Sequence, residues 1–265
     1  MTDKKVEDHL TRQTIFVPEP VWVPVSKWVR IRLGNEYVAS SRRVMLKREF
    51  PMVYFFPQGD VNMELLEQGS QDSQPDKWGK STSWHIKTKS KKAERAAWSY
   101  KNPGEKAPEK IEKYMAFQWD AMDMWLEEDE EVRVHPRDPY HRLDVCKSSR
   151  HVQILINGKT VADTHCPVLL FETGLPVRFY IPKTDVQLDL LQPTHYQTQC
   201  PYKGTAFYYS IINGGDNLKN VIWTYPFPNT EVFKIKDLVA FFTEKLEEVF
   251  IDGKKLPKVK SKWAD

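Results

Sequence analysis

The chain has 265 residues, room for one large domain or two of about 100–130. Its 39 basic and 36 acidic residues leave a net charge of +3, too balanced to mark a nucleic-acid binder, and no apolar run approaches the ~18–20 residues of a membrane span. The three cysteines, Cys146, Cys166 and Cys200, are odd in number and lack any CxxC spacing, which argues against a disulfide framework and against a zinc site.

Composition points to strands. The sequence has 13 Phe, 11 Tyr, 9 Trp and 18 Pro against 11 Gly, the pattern of short aromatic and β-branched strands between proline-marked turns. The polar start Met1-Thr2-Asp3-Lys4-Lys5 is followed by no apolar stretch, so a cytoplasmic location is expected. Trp28–Ala39 reads as two alternating strands around a Gly/Asn turn. Asp60–Leu66 starts a further element, and the basic run Lys87–Arg95 reads as an exposed, mobile hairpin tip. Trp98-Ser99-Tyr100 places two aromatics on one strand face. A short helical piece is expected over Lys110–Trp119. The acidic stretch Glu127–Glu131 then reads as a solvated connector.

Beyond the connector the same elements recur. His151–Ala162 matches Trp28–Ala39 at an offset of 123 residues, while Asp185–Leu191 and Trp223-Thr224-Tyr225 match Asp60–Leu66 and Trp98-Ser99-Tyr100 at an offset of 125. A two-residue gap near Pro51 or Pro176 accounts for the change. The second helical piece falls at Lys236–Lys245. The sequence thus predicts two duplicated domains, 15–127 and 132–255, with polar tails outside them.

The second copy carries uncommon motifs: Arg133–Asp144 with its His135-Pro136-Arg137-Asp138-Pro139-Tyr140-His141 core, Ser148–Val152, Leu170-Phe171-Glu172-Thr173-Gly174-Leu175-Pro176, Asp185-Val186, and Cys200-Pro201-Tyr202-Lys203-Gly204. Together they make the chain resemble the family known as domain of unknown function 427, sometimes labelled nucleotidyltransferase-like. The first copy resembles a degenerate member. The resemblance implies a mainly β fold, two tandem copies of a small β-tent domain similar to Mss4-type zinc proteins, with short helical segments. It supplies no activity. Nucleotidyl transfer needs a glycine-rich phosphate cradle and acidic metal ligands, and the sequence has no such constellation.

Five positions of the second copy stand out as candidates for chemistry. Glu172 follows the apolar run Val168–Phe171; at the end of a buried strand its pKa is expected to rise towards values useful for proton transfer, or it pairs with an arginine for structure. Glu49 is its equivalent. Arg178 and Tyr180 share a strand face and together suit a carboxylate or enolate oxygen; the first copy has Val53-Tyr54-Phe55-Phe56 there. Lys203 stands beside a glycine that permits close backbone approach, and Cys200 is a wall or a nucleophile if His195 lowers its pKa. Zinc would require Cys166, Cys200, His165 and His195 to converge.

These residues lead to an expected function. A cofactor-independent small-molecule enzyme would work by proton transfer or carbonyl/carboxylate polarisation, of lyase, isomerase or cyclase type, in a pocket of the second copy. Glu172, Lys203 and Tyr180 would be catalytic, while Arg178, Cys200, Tyr202, Trp223 and Tyr225 would contact an anionic or carbonyl-containing ligand. No metal, cofactor, nucleic acid or membrane is expected. The alternative is a non-catalytic module binding a small ligand or a protein segment.

Overall fold

A computed structural model describes residues 21–72 and 76–258. They fall into two compact units that part between Asp138 and Pro139. The first contains β1 (Trp22–Pro24), β2 (Val29–Leu33), β3 (Glu36–Ser41), β4 (Met45–Lys47), β5 (Val53–Pro57), β6 (Leu66–Asp72), β7 (Gly79–Lys87), β8 (Lys92–Pro103), β9 (Tyr114–Phe117), β10 (Met124–Glu127) and β11 (Glu130–Glu131). The second contains β12 (Leu143–Lys147), β13 (Val152–Ile156), β14 (Lys159–Thr164), β15 (Val168–Glu172), β16 (Arg178–Ile181), β17 (Leu191–Cys200), β18 (Gly204–Ile211), β19 (Ile222–Thr224), β20 (Val239–Phe241), β21 (Glu248–Ile251) and β22 (Lys254–Lys255). Among the described residues no helix is long and apolar enough to cross a membrane.

The two units have one topology. The seven-stranded sheets run β1-β4-β5-β9-β8-β7-β6 and β12-β15-β16-β20-β19-β18-β17, and the four-stranded sheets β11-β10-β2-β3 and β14-β13-β21-β22. Even the irregularities repeat: the first hairpin slips register between Ile31 and Arg32, and its counterpart between Ile154 and Leu155. The register also locates the change of offset. Met45 faces Phe55 and Val168 faces Tyr180, so β4 and β15 differ by 123 residues while β5 and β16 differ by 125.

Alternation along each strand fills two cores. In the first unit Val29, Ile31, Leu46, Tyr54 and Phe56 form the larger core, and Phe55, Trp78, Tyr100, Ile111 and Ala116 a second one. In the second unit Val152, Ile154, Leu169, Phe179 and Ile181 form the larger core, and Val168, Leu170, Tyr180, Ala206 and Tyr225 the other. Neighbours in sequence such as Phe179 and Tyr180 therefore serve opposite faces of one sheet. The candidate residues belong to the Tyr180 face.

Three expectations change. The stretches Lys110–Trp119 and Lys236–Lys245 are centred on short central strands, β9 and β20, with single 3-10 turns at Ile111–Lys113, Trp119–Ala121 and Thr243–Lys245 as their only helical parts. A central strand is hydrogen-bonded on both edges and buried on both faces, and that context overrides the helix propensity of Lys, Glu, Met and Ala. The acidic stretch is no connector: β10 and β11 form a hairpin there, and buried Glu127 accepts a hydrogen bond from Tyr54 and pairs with Lys27. Residues up to Asp138 stay with the first unit, where the Asp138 carboxylate takes the Arg48 guanidinium at 2.9 and 3.2 Å. The basic run does form a hairpin tip, but Thr88 is buried in it and Lys91 is tied to Asp123.

Candidate functional site

The turn that carries Lys203 closes the β17–β18 hairpin, where Cys200 and Gly204 pair. Gly204 has φ +95°, and a Cβ there would sit 3.0 Å from the Phe227 carbonyl oxygen, so both backbone shape and space demand glycine. Asn229 fixes the turn from outside, donating its side-chain amide to Pro201 O at 3.0 Å and its backbone N–H to Lys203 O at 3.2 Å. Lys203 is thereby aimed at the end of β15.

Glu172 receives it. The carboxylate is 4% exposed, its Oε2 bonded by the Lys203 ammonium and its Oε1 by His141 Nε2 at 3.1 Å. The strand end is held by a reciprocal contact: Arg142 N–H donates to the Thr173 hydroxyl at 2.9 Å, and Thr173 N–H to Arg142 O at 3.1 Å. The His141 ring stacks on Tyr202 with centroids 4.1 Å apart, so the same turn that delivers Lys203 also orients the imidazole. Thr173-Gly174 and Tyr202-Lys203 are thus pieces of one arrangement.

The electrostatics reverse one expectation. Burial alone would push the Glu172 carboxyl up, but the Lys203 charge and the His141 hydrogen bond outweigh it and hold the pKa at about 2. Burial likewise disfavours the Lys203 ammonium, yet Glu172 beside it raises its pKa. Glu172 is a permanent carboxylate and Lys203 a permanent cation, so neither shuttles protons near neutral pH. His141 is the third member of the cluster. When its Nε2–H donates to Glu172, Nδ1 is an acceptor with no hydrogen-bond partner among the described residues. His141 was part of a motif in the sequence but had no assigned role, because its carboxylate lies 31 residues away.

Arg178 does not pair with Glu172. Its guanidinium makes a buried two-point contact with Glu244, the longer leg 2.6 Å, and lies 5.6 Å from the Trp223 ring centroid and 5.3 Å from Phe242. A guanidinium committed to a carboxylate that is itself buried is not free to hold substrate. Tyr180 shares the Arg178 face as expected. Its hydroxyl accepts from Trp223 Nε1 at 3.3 Å, and burial pushes its pKa up to about 12. Burial raises Tyr225 and Tyr208 too, so these phenols stay protonated as hydrogen-bond donors. Cys200 is a free, partly buried thiol close enough to Lys203 to affect its charge, whereas His195 is exposed and no hydrogen bond joins it to Cys200. The nucleophile reading loses its partner.

The first unit keeps the frame and changes the chemistry. Glu49 pairs with Lys77, one position before the place of Lys203, and both side chains are more than 40% exposed. Trp78 fills the Lys203 position, Phe55 that of Tyr180 and Val53 that of Arg178. By contrast Asp60 and Asp185 do the same thing in both copies, accepting a 2.6 Å hydrogen bond from Ser41 and Thr164 respectively, which makes the Asp185-Val186 motif a structural one.

Three groups able to ligate a metal meet in the second unit: His151, Asp163 and His165, with ligating atoms within 4.8 Å of one another. The zinc candidates Cys166, Cys200, His165 and His195 form no such group among the described residues. The corresponding positions in the first unit are Trp28, Ser40 and Arg42. They also touch, through a 2.9 Å bond from Trp28 Nε1 to Ser40 and the Arg42 guanidinium 4.9 Å from the Trp28 ring. The closeness of the triplet is therefore a property of the fold.

A family model described as a domain of unknown function (DUF427) matches the chain twice, over residues 22–128 and 144–252. No curated protein matches the chain.

Proposed function

The chain belongs to the DUF427 family as two members in tandem, and from that premise we propose that its second unit is a cofactor-independent enzyme acting by proton transfer on a small carbonyl or carboxylate compound. The observation that carries the reading is one buried carboxylate, Glu172, holding both His141 and Lys203. A carboxylate that fixes an imidazole through one nitrogen leaves the other as a general base. In this reading His141 Nδ1 removes a proton from carbon next to a carbonyl. Lys203 has further N–H donors beyond the one given to Glu172, and these meet the negative charge that develops on the carbonyl oxygen. Tyr180 and Tyr225, kept protonated by burial, are supporting donors, and Cys200, Tyr202 and Trp223 are walls. Glu172 acts by positioning and by charge, and Arg178 by holding Trp223 and Phe242 in place. Such chemistry belongs to lyases, isomerases and cyclases.

The test is hydrogen exchange on carbon. A panel of small 2-oxo and 3-oxo acids is incubated with the protein in D2O, and loss of the α-proton signal is followed by NMR. The reading expects at least one compound to exchange above the blank, with the rate falling by roughly 100-fold or more in His141→Gln. Ligands that stabilise the protein without any exchange would replace the enzyme by a binding module; a panel that neither exchanges nor binds would remove the proposal.

A further inference from the structure

The first unit differs from the second where the second holds its charges. Val53 ends where Arg178 extends, and Asp120, exposed, stands at the place of Glu244. In the same region the first unit has a cavity of about 770 Å³, with Val53 and Trp119 in its wall. Its size lies within the ~300–1,000 Å³ of small-ligand pockets. Its wall includes the rings of Phe55, Trp78, Trp98, Tyr100, Trp119 and Trp125. They are locked by their own contacts, Trp119 stacked on Trp125 at 4.3 Å, Trp78 edge-on to Tyr100 at 6.1 Å and Phe55 to Trp98 at 6.2 Å. A pocket of fixed aromatic planes selects flat ligands with a π face.

The charges at the cavity are unequal in what they lack. Glu49 is taken by Lys77, and Asp76 accepts from the Tyr100 hydroxyl and, at 2.7 Å, from the Trp78 N–H. Lys47 and Arg95 have no carboxylate partner among the described residues; the Lys47 ammonium touches only the Pro51 carbonyl oxygen at 3.3 Å and lies 5.9 Å from the Trp78 ring. Lys47 is unique to this copy, since Leu170 occupies its place in the second. Burial pushes the Lys47 pKa down against the pull of Glu49 and Asp76, with Lys77 adding to the lowering, as expected of a cation that an anion would relieve.

We infer that the first unit carries its own binding site, separate from the Glu172 cluster, for a planar aromatic carboxylate whose ring lies against Trp78 and Trp98 and whose carboxylate meets Lys47. In this reading the copy without counterparts of the Arg178–Glu244 and buried Glu172–Lys203 pairs is the ligand-capturing half of the tandem. This does not depend on the second unit being an enzyme.

The test titrates the whole chain with 2-naphthoate, 2-naphthamide and cyclohexanecarboxylate, following binding by calorimetry. Naphthoate is expected to bind saturably, with the amide and the non-aromatic acid each weaker by roughly tenfold. Lys47→Gln should bring naphthoate down to the level of naphthamide. Val53→Phe, which fills the cavity without charge, should abolish binding of both naphthyl probes. Circular dichroism establishes that the variants fold; should Val53→Phe fail to, Lys47→Gln at its more polar position decides. Lys203→Gln in the second unit should leave naphthoate affinity unchanged. The inference is overturned if naphthoate does not bind, if its preference over naphthamide survives Lys47→Gln, or if Lys203→Gln abolishes binding.

Discussion

Replacing Glu172 by Gln keeps the size of the side chain and removes its charge, leaving Lys203, 12% exposed, with no counter-ion. Removing one partner of a buried ion pair costs about 3–5 kcal/mol. The carboxyl held at about 2 against an ordinary 4.5 leads to a similar figure, about 3 kcal/mol, since one pH unit is worth about 1.4 kcal/mol. Glu49→Gln, which breaks an exposed pair in the same frame, should cost about 0–1 kcal/mol. Hydrogen exchange read by mass spectrometry reports each unit by itself: β15 and β18 should lose about 3 kcal/mol of protection in Glu172→Gln, with β4 and β7 unchanged. The pH dependence has a definite sign. A depressed carboxyl pKa stabilises above pH 4.5, and that stabilisation is lost as the pH falls through about 2. The gap between wild type and Glu172→Gln should therefore be full at pH 7 and mostly closed near pH 2. A gap no larger than that of Glu49→Gln at pH 7, or one that persists unchanged near pH 2, would refute the buried, charged pair.

Other perturbations follow from the same geometry. Arg178→Met takes the guanidinium away from the buried Glu244 carboxylate and should cost about 3–5 kcal/mol by urea unfolding, whereas Arg178→Met with Glu244→Leu should recover most of the loss. Gly204→Ala must place a Cβ 3.0 Å from a carbonyl oxygen at φ +95° and should cost about 1–3 kcal/mol, while Gly158→Ala, at φ +72° with open space around it, should cost about 1 kcal/mol; thermal melts separate the two. Thr164→Val and Ser41→Ala each remove a hydroxyl that donates to a carboxylate and accepts from a backbone N–H, and should each cost about 1–3 kcal/mol in their own unit, as judged by hydrogen exchange.

The sequence by itself determined the architecture. Period-two alternation, turn residues and offsets of 123 and 125 are local signals, and local signals suffice to mark strands and to align two copies, which the structure shows to share one strand order. It also picked out Glu172, at the end of an apolar run, and Lys203, beside the glycine of the Cys200–Gly204 motif. Tertiary structure decided everything that depends on which side chains meet. His141 and Glu172 are 31 residues apart and Arg178 and Glu244 are 66 apart, so no spacing rule links them. The sign of the Glu172 pKa turned on this: burial, legible from the apolar run before it, raises a carboxyl, but a neighbouring ammonium and imidazole lower it further than burial lifts it. The stretches Lys110–Trp119 and Lys236–Lys245 failed for the same reason, since their helix propensity is local while the two flanking strands that hydrogen-bond them are not.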